Sequence, residues 1–316
     1  MKRVVCFIVQ YFKKTKYKEI EINFSGGEPL LSFDVLLYFV NQFNMNFADY
    51  DISIKYSLTT NGSMFNEEVL RFLNKNNFSV QISLDGYRDL HNRTRYFKNA
   101  QGSFDIIISN IKTIIHTYQN VEVALRVNIL DNNRNYCKII DELDAIIEKT
   151  DRDRVFLYFA LIDTQDNVDT DVSADVIDIL KELYNLAYLS GYEIPTSFTD
   201  GGECMIKDNC SMCITPDSKV FKCYSLVSYS ELGGDLDTKS LNSVIDNICV
   251  EKCLWKGKCY GGRLYRSYIK DKTFSKCCRK KLVSEMNFFL FGLQLQKLDL
   301  IKKDDFNAEN LKTSFI

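Results

Sequence analysis

Apolar and polar residues alternate with two different periods along the first half of the chain. Five short segments rich in Val, Ile, Phe and Tyr predict strands, at 19–24, 52–59, 78–84, 121–130 and 154–161. Apolar residues with helical spacing predict helices at 2–14, 32–46, 65–76, 103–118 and 133–149. This repeated strand-then-helix order indicates an α/β fold with a parallel sheet. A (β/α) barrel, or an open arc of one, is its natural closure.

The pattern changes after the fifth predicted strand. Residues 162–171 predict a polar loop and 172–190 a further helix, whereas from 195 onward periodicity fades and cysteine and glycine become frequent. A helical pattern returns at 282–302, and we expect its apolar side chains to pack back on the body, namely Phe288, Phe289, Leu290, Phe291, Leu293 and Leu295. We therefore expect a partial barrel at 1–195, a small cysteine-rich domain at 196–281, and a helix and tail at 282–316.

Composition and charge exclude several classes of protein. The net charge is −2 and no long basic run exists, so the electrostatic footprint of a nucleic-acid binder is missing. No apolar run reaches membrane-spanning length, and segment 1–12 lacks the cleavage site of a signal peptide. We therefore expect a cytoplasmic protein without a membrane partner. The 2 histidines argue against His-based chemistry as the main theme.

Unusual polar residues follow four successive predicted strands. Parallel α/β folds place their chemistry at the carboxyl ends of strands, so we expect these residues to converge on one rim. They are Ser25-Gly26-Gly27-Glu28-Pro29, Thr59-Thr60-Asn61-Gly62, Ser83-Leu84-Asp85-Gly86, and the pair Arg126 and Asn128. In the first of these motifs, the glycines allow a ligand to approach the backbone closely, and the carboxylate suits an ammonium group. An ordinary strand-to-helix turn is the alternative interpretation.

Cysteine is concentrated in one part of the chain. Of 11 cysteines, Cys6 and Cys137 stand alone, and the others crowd between Cys204 and Cys278. Without a secretory signal, such a cluster is more typical of metal binding than of disulfides. The count suits a pair of four-thiolate sites, and spacing alone does not choose between [4Fe–4S] clusters and zinc.

The rim motifs together resemble the radical S-adenosylmethionine (SAM) enzymes that carry a C-terminal SPASM iron–sulfur domain, of the anaerobic sulfatase-maturase type. Gly26-Gly27-Glu28-Pro29 resembles the motif that binds the SAM amino group. Three further blocks of this sequence resemble the next stretch of the family's sequence pattern: Ser83 to Gly86, Asn92-Arg93-Thr94-Arg95 and Gly102-Ser103-Phe104-Asp105. The resemblance implies that Ser83 contacts the SAM ribose and that Arg95 contacts its carboxylate. Arg93 is a close competitor for that second role.

The resemblance also implies ligands for up to two auxiliary [4Fe–4S] clusters. Cys204, Cys210 and Cys223 match the first cluster, and Cys249, Cys253, Cys259 and Cys277 match the second, with Cys278 as a spare. Residues 216–223 resemble a family hairpin in which Ser218 replaces a glycine. Arg263 stands where the family has the fourth ligand of the first cluster. Three alternatives remain for the first cluster. One iron lacks a protein ligand, or Cys213 supplies the fourth ligand, or the cluster does not form.

Two further departures concern the chemistry. Tyr224 stands where sulfatase maturases have an aspartate that accepts a proton, and a phenol cannot accept one near neutral pH. Sulfatase maturation is therefore disfavoured. The C-x3-C-x2-C motif of the catalytic cluster is also missing, because only Cys6 precedes the glycine motif. We expect Cys6 to be a core helix residue and the barrel to be N-terminally truncated, either as a fragment or as a paralogue without radical initiation. The barrel architecture favours the fragment. Without the first strand of the barrel, the strand predicted at 19–24 becomes an unprotected edge.

Three hypotheses follow for function. The leading one is a radical SAM/SPASM maturase of a peptide or protein, which uses SAM and iron–sulfur clusters and a donor such as ferredoxin or flavodoxin. No catalytic acid or base is identified. The second is an iron–sulfur protein that binds a peptide or a partner without turnover, and the third is a zinc-dependent structural module.

Overall fold

The computed structural model describes residues 1–130, 134–162, 172–198, 205–236 apart from 207 and 209, 265–272, 280–298 and 300. The chain divides into two compact units. The first unit contains Met1–Ile162 and Asp178–Pro195, and the second contains Asp163–Ile177 and Thr196–Ile316. The predicted three-part division of the chain stays a prediction.

The first unit is built on a parallel sheet of five strands in sequential order, which confirms the predicted α/β class. Successive strands commonly lie side by side in a sheet, and a helix between parallel neighbours carries the chain back to the start of the next strand. The strands lie where the sequence predicts them: β1 (Glu19–Phe24), β2 (Ser53–Thr60), β3 (Ser79–Leu84), β4 (Glu122–Ile129) and β5 (Val155–Leu161). Their carboxyl ends therefore share one edge of the sheet.

Seven helices of the described chain belong wholly or mainly to this unit. They are α1 (Lys2–Lys13), α2 (Phe33–Phe47), α3 (Glu67–Lys75), α4 (Arg88–Thr94), α5 (Phe104–Thr117), α6 (Lys138–Asp144) and α7 (Ala174–Ser190). The sequence pattern does not predict α4. The single helix predicted over 133–149 is wrong in extent, because α6 is short and flanked by 3-10 turns. The guanidinium of Arg152 donates to the carbonyl oxygens of Asp144 (2.9 Å) and Ile147 (3.0 Å), which satisfies the groups that a longer helix would use.

The two faces of the sheet differ in polarity. One face carries apolar side chains that pack under the helices, as Phe78 does against Phe72 of α3 with ring centroids 5.9 Å apart. The opposite face, here called the polar face, carries Ser57, Gln81, Ser83, Arg126, Asn128 and Tyr158. Side-chain hydrogen bonds cross its strands, for example from Tyr158 Oη to Gln81 Oε1 at 2.7 Å.

Cys6 corrects one expectation. The buried stripe of α1 is formed by Val4, Val5, Val9 and Phe12, and Phe12 packs edge-on against Phe47 at 5.6 Å. Cys6 is exposed, so its prediction as a core residue is wrong. Helix residues follow one another at about 100°. That rotation turns position 6 away from the stripe formed by its neighbours.

The second unit contains a small antiparallel sheet, β6 (Cys213–Ile214), β7 (Lys219–Phe221) and β8 (Gly234–Asp235), and the helices α8 (Tyr265–Asp271) and α9 (Lys280–Lys297). In α9, Leu290 and Leu293 are buried, but Phe291 is 46% exposed, which contradicts its predicted packing. Only one face of α9 is covered, and its buried stripe contains Leu290 and Leu293. Phe291 points away from that stripe and is therefore exposed. Among the described residues, no helix is long and apolar enough to cross a membrane.

Candidate functional site

The carboxylate of Glu28 joins the carboxyl ends of β1 and β2. It accepts hydrogen bonds from Thr60 Oγ1 (2.8 and 2.9 Å), from the backbone N–H of Asn61 (2.8 Å) and from the backbone N–H of Leu30 (3.1 Å). These three donors occupy most of the lone-pair sites of a carboxylate. Glu28 therefore fixes the loop that follows β1, and the sequence did not indicate Thr60 as its partner.

Gly26 and Gly27 border open space. A Cβ atom built on either residue meets no atom within 4 Å, and Gly26 has a φ of +151°, which side chains rarely adopt. The backbone of this loop is consequently accessible to a ligand. Because Glu28 holds the end of the loop, the accessible backbone is also fixed in place.

Asp85 joins the carboxyl ends of β3 and β4. Its Oδ1 accepts from Asn128 Nδ2 (2.7 Å), and its Oδ2 accepts from Thr94 Oγ1 (2.8 Å) and lies 2.8 Å from Arg95 Nε. Burial opposes the ionisation of this carboxyl group. The ion pair with Arg95 and the hydrogen bonds from Asn128 and Thr94 nevertheless hold the pKa of Asp85 below its ordinary value.

Arg95 is anchored at one end of its guanidinium. Its Nε faces Asp85 as an ion pair, although the angle falls short of a hydrogen bond. Its two terminal nitrogens make no hydrogen bond to any of the residues that the structure describes. A guanidinium held in this manner is suited to bind a carboxylate through its outer nitrogens.

The predicted ligand residues form two groups along the sheet edge. Gly26, Gly27 and Glu28 lie at the end of β1, while Ser83 and Arg95 lie beside Asp85 at the end of β3. Ser83 is 8% exposed and stands on the polar face opposite Arg126 in the strand register. Within the described part of the chain, no hydrogen bond joins the two groups.

A buried histidine that the sequence analysis missed connects α4 to β3. His91 is 0% exposed, and its Nδ1 accepts from the backbone N–H of Asp85 at 3.2 Å. Its Nε2 lies 3.0 Å from Ser103 Oγ, and this hydroxyl donates to the carbonyl oxygen of Arg95 at 3.1 Å. The network assigns the ring proton to Nε2. The only sequence signals are that Ser103 falls inside the motif block Gly102 to Asp105 and that His91 directly precedes the block Asn92 to Arg95.

His91 gives the first prediction. Burial, together with the nearby positive charge of Arg95, lowers the pKa of His91 to about 4. Since the unfolded chain binds a proton near about pH 6.5 that the folded chain excludes, stability is lost as the pH falls from about 6.5 towards 4, by up to about 3 kcal/mol. Histidine NMR on labelled protein will show one ring in the Nε2–H form with a titration midpoint near 4.

The control for this prediction is the exposed His116, which is the other of the 2 histidines and supplies the second signal. A His116→Gln variant assigns the two signals. The prediction fails if the remaining signal titrates above pH 6 or shows the Nδ1–H form.

Three cysteines of the second unit are described. Cys223 is buried with Ile206, Leu226 and Tyr268, and Cys210 and Cys213 are half-buried. Burial raises the pKa of the Cys213 thiol, and the neighbouring Cys223 acts in the same direction. Metal ligation requires thiolates, so a cluster would have to displace these protons.

The predicted metal sites extend past the described residues. Of the predicted ligands, Cys204, Cys249, Cys253, Cys259 and Cys277 lie outside them, as do Arg263 and Cys278. Within them, no group of three or more potential ligands converges. Cys210 and Cys223 therefore stay predicted ligands.

The hairpin between β6 and β7 has the form that its family resemblance implies. The backbone N–H of Ser218 donates to the carbonyl oxygen of Thr215 (2.8 Å), and that of Thr215 donates to the carbonyl oxygen of Lys219 (2.9 Å). Ser218 has a φ of +66°, in the left-handed region that favours glycine. The family glycine at this position thus has a backbone reason, and Ser218 tolerates the same turn.

Comparisons with known proteins agree with this architecture. The family model of the 4Fe-4S single cluster domain matches residues 3–104. The cysteine-type anaerobic sulfatase-maturating enzyme of Clostridium novyi (strain NT) is 35% identical over 150 residues, 46% of this chain and 38% of that protein. The radical SAM cyclopropyl synthase TigE of Paramaledivibacter caminithermalis is 27% identical over 107 residues, 33% of this chain and 22% of that protein.

A solved structure shares the fold. Native anSMEcpe with bound AdoMet and Kp18Cys peptide matches with a TM-score of 0.68 and 17% identity, over 95% of this chain and 91% of that one. This likeness confirms the expected α/β fold, which the two proteins share. In sequence, however, the chain spans 38% of the length of the sulfatase-maturating relative from Clostridium novyi.

Proposed function

We propose that this chain, a relative of the radical SAM peptide maturases, binds S-adenosylmethionine at the carboxyl edge of its sheet and takes part in modifying a peptide or protein. One observation carries the proposal. Arg95 is anchored at Asp85 through Nε, and its terminal nitrogens have no partner in the described chain. This arrangement is expected where a small ligand brings a carboxylate.

The other predicted residues suit the rest of the ligand. The accessible backbone at Gly26 and Gly27, held by Glu28, offers carbonyl oxygens to an ammonium group. Ser83 offers a hydroxyl to a ribose. In this family a reduced [4Fe–4S] cluster supplies the electron that cleaves S-adenosylmethionine, and the protein supplies placement. We assign the ligand residues on this basis and no catalytic acid or base.

The cysteine-rich second unit is proposed to hold auxiliary [4Fe–4S] clusters. Cys210 and Cys223 are the proposed ligands that lie within the described residues, and Cys204, Cys249, Cys253, Cys259 and Cys277 complete the predicted set. Zinc is the alternative for the same thiols. An electron donor such as ferredoxin or flavodoxin belongs to the proposal, because clusters of this kind exchange electrons with small carriers.

The proposed substrate is a peptide or protein segment. Two relatives support this class: one is a sulfatase-maturating enzyme, and the other is solved with a bound peptide. Tyr224, which follows Cys223 directly and is 60% exposed, carries a phenol at the position where the sulfatase maturases have an aspartate. We therefore propose a modification other than sulfatase maturation.

A second candidate function is peptide or partner binding without turnover. The residues that match the 4Fe-4S single cluster family contain one cysteine, Cys6, which is fewer thiols than such a cluster takes. The enzyme and the binding protein are distinguished by whether 5′-deoxyadenosine is formed. Incubation with S-adenosylmethionine and dithionite yields 5′-deoxyadenosine if the chain is competent for cleavage and none if it only binds.

The binding proposal is tested by calorimetry on the anaerobically purified chain. S-Adenosylmethionine is expected to bind at least about tenfold more tightly than 5′-methylthioadenosine, which lacks the ammonium and carboxylate groups. Arg95→Gln should remove most of this preference, whereas Arg93→Gln, an exposed arginine on α4, should keep it. No binding of S-adenosylmethionine by the unaltered chain would overturn the proposal, and a loss in Arg93→Gln alone would move the carboxylate site.

Metal analysis tests the clusters. After anaerobic reconstitution we expect about eight irons per chain with matching sulfide if both auxiliary sites form. About four irons per chain would mean that the first cluster does not form with Arg263 in place of its fourth ligand. Stoichiometric zinc with little iron would contradict the iron–sulfur assignment.

A further inference from the structure

Arg126 is a half-buried arginine that has no partner among the described residues. It lies on the polar face, between Ser83 of β3 and Tyr158 of β5 in the strand register. The other half-buried arginines of the first unit whose side chains are described all have carboxylate or carbonyl partners. These pairs are Arg88 with Asp105, Arg95 with Asp85, Arg152 with Asp144, and Arg154 with the carbonyl oxygen of Ile115.

Asn128 adds an unsatisfied acceptor on the same face. Its Nδ2 donates to Asp85, which fixes the orientation of the amide. Its Oδ1 is then left buried without a hydrogen-bond partner, and the residue is 6% exposed. A buried acceptor without a partner is uncommon in folded proteins and calls for a ligand or a water molecule.

The two groups form a matched pair along β4. Residues two positions apart on a strand lie about 7 Å from one another and point to the same face. Arg126 therefore offers donors and a positive charge, and Asn128 offers an acceptor at a distance that a peptide spans easily. Two acidic groups elsewhere on this face are engaged, Glu19 with Lys55 and Glu122 with Ser79, and the exposed Glu21 lies on β1, at the edge of the sheet.

We infer that Arg126 and Asn128 form a substrate subsite for an acidic peptide, in which Arg126 binds a side-chain carboxylate and Asn128 Oδ1 accepts from a nearby N–H. The inference rests on the proposed function, since it names the class of peptide that the same site takes. A carboxylate fits better than a phosphate. Here a single arginine stands among the neutral side chains of Ser83, Gln81 and Tyr158, whereas a phosphate carries more charge and more acceptors.

The probes for this subsite are N-acetylglutamate N-methylamide and its glutamine analogue, titrated by NMR into the full chain saturated with S-adenosylmethionine. The unaltered chain is expected to bind the glutamate probe about tenfold more tightly. Arg126→Gln is expected to bind both probes equally, and Arg126→Lys is expected to keep part of the preference because it keeps the charge. Lys112→Gln, the same charge change on the exposed side of α5, should leave the preference intact.

The outcomes separate this inference from the proposed function. Equal affinity of the unaltered chain for both probes, or an unchanged preference in Arg126→Gln, overturns the subsite. A drop in S-adenosylmethionine affinity in Arg126→Gln without a change in probe preference would assign the carboxylate to that ligand instead, and also overturns the peptide subsite. Failure of the unaltered chain to bind S-adenosylmethionine counts against the proposed function and is measured first. If Arg126→Gln does not fold, the comparison of Arg126→Lys with the unaltered chain decides.

Discussion

Glu28→Gln is expected to lower the affinity for S-adenosylmethionine by about a hundredfold. The substitution keeps the size of the side chain but replaces one accepting oxygen with an NH2 group. That group then faces the N–H of Asn61 or of Leu30, which both donate to Glu28 in the folded chain. Hydrogen bonds to a charged group contribute about 1.5–3 kcal/mol each. Loss of one such bond, together with a donor-to-donor conflict, frees the loop that carries Gly26 and Gly27.

The measurement is equilibrium binding of S-adenosylmethionine to the unaltered chain and to the variant. Glu68→Gln is the matched control, since it removes the same charge from an exposed position in the first turn of α3. Far-UV circular dichroism verifies that both variants are folded. An affinity for Glu28→Gln within threefold of the unaltered chain would show that the loop does not depend on this carboxylate, and would count against the role given to the glycine motif.

The sheet could be predicted from the sequence because local and tertiary preferences agree in its strands. In β3, for example, Val80 and Ile82 suit a strand by propensity and are also fully buried on its apolar face. The polar residues at the strand ends were likewise predicted to meet at one edge, and the contacts of Glu28 with Thr60 and of Asp85 with Asn128 are consistent with that expectation.

What the sequence did not reveal are partners brought together by the fold. His91 meets the Asp85 backbone and Ser103 only because α4, which has no strong apolar period, turns back over β3. Cys6 was misplaced for a related reason. In a helix as apolar as α1, the period alone leaves the edge of the buried stripe undefined, and packing against Phe47 decides it.

Asp85→Asn is expected to destabilise the first unit by about 3 kcal/mol. Asp85 and Arg95 form a pair whose side chains are 12% and 30% exposed, and removal of one charge leaves the other poorly compensated. The new amide also sets an NH2 group or a weaker acceptor against Asn128 Nδ2 and Thr94, which donate to the carboxylate in the folded chain. Both effects act at the ends of β3 and β4.

Hydrogen exchange followed by mass spectrometry is the appropriate measurement, because a chain of two units need not unfold in one step. Amides of β3 and α4 should exchange faster in Asp85→Asn by about a hundredfold, while those of the second unit stay unchanged. Asp89→Asn removes the same charge from an exposed site on α4 and should have little effect. If the two variants exchange alike, Asp85 is not the group that holds these strand ends together. Arg95 would then need another anchor to present its terminal nitrogens to a ligand.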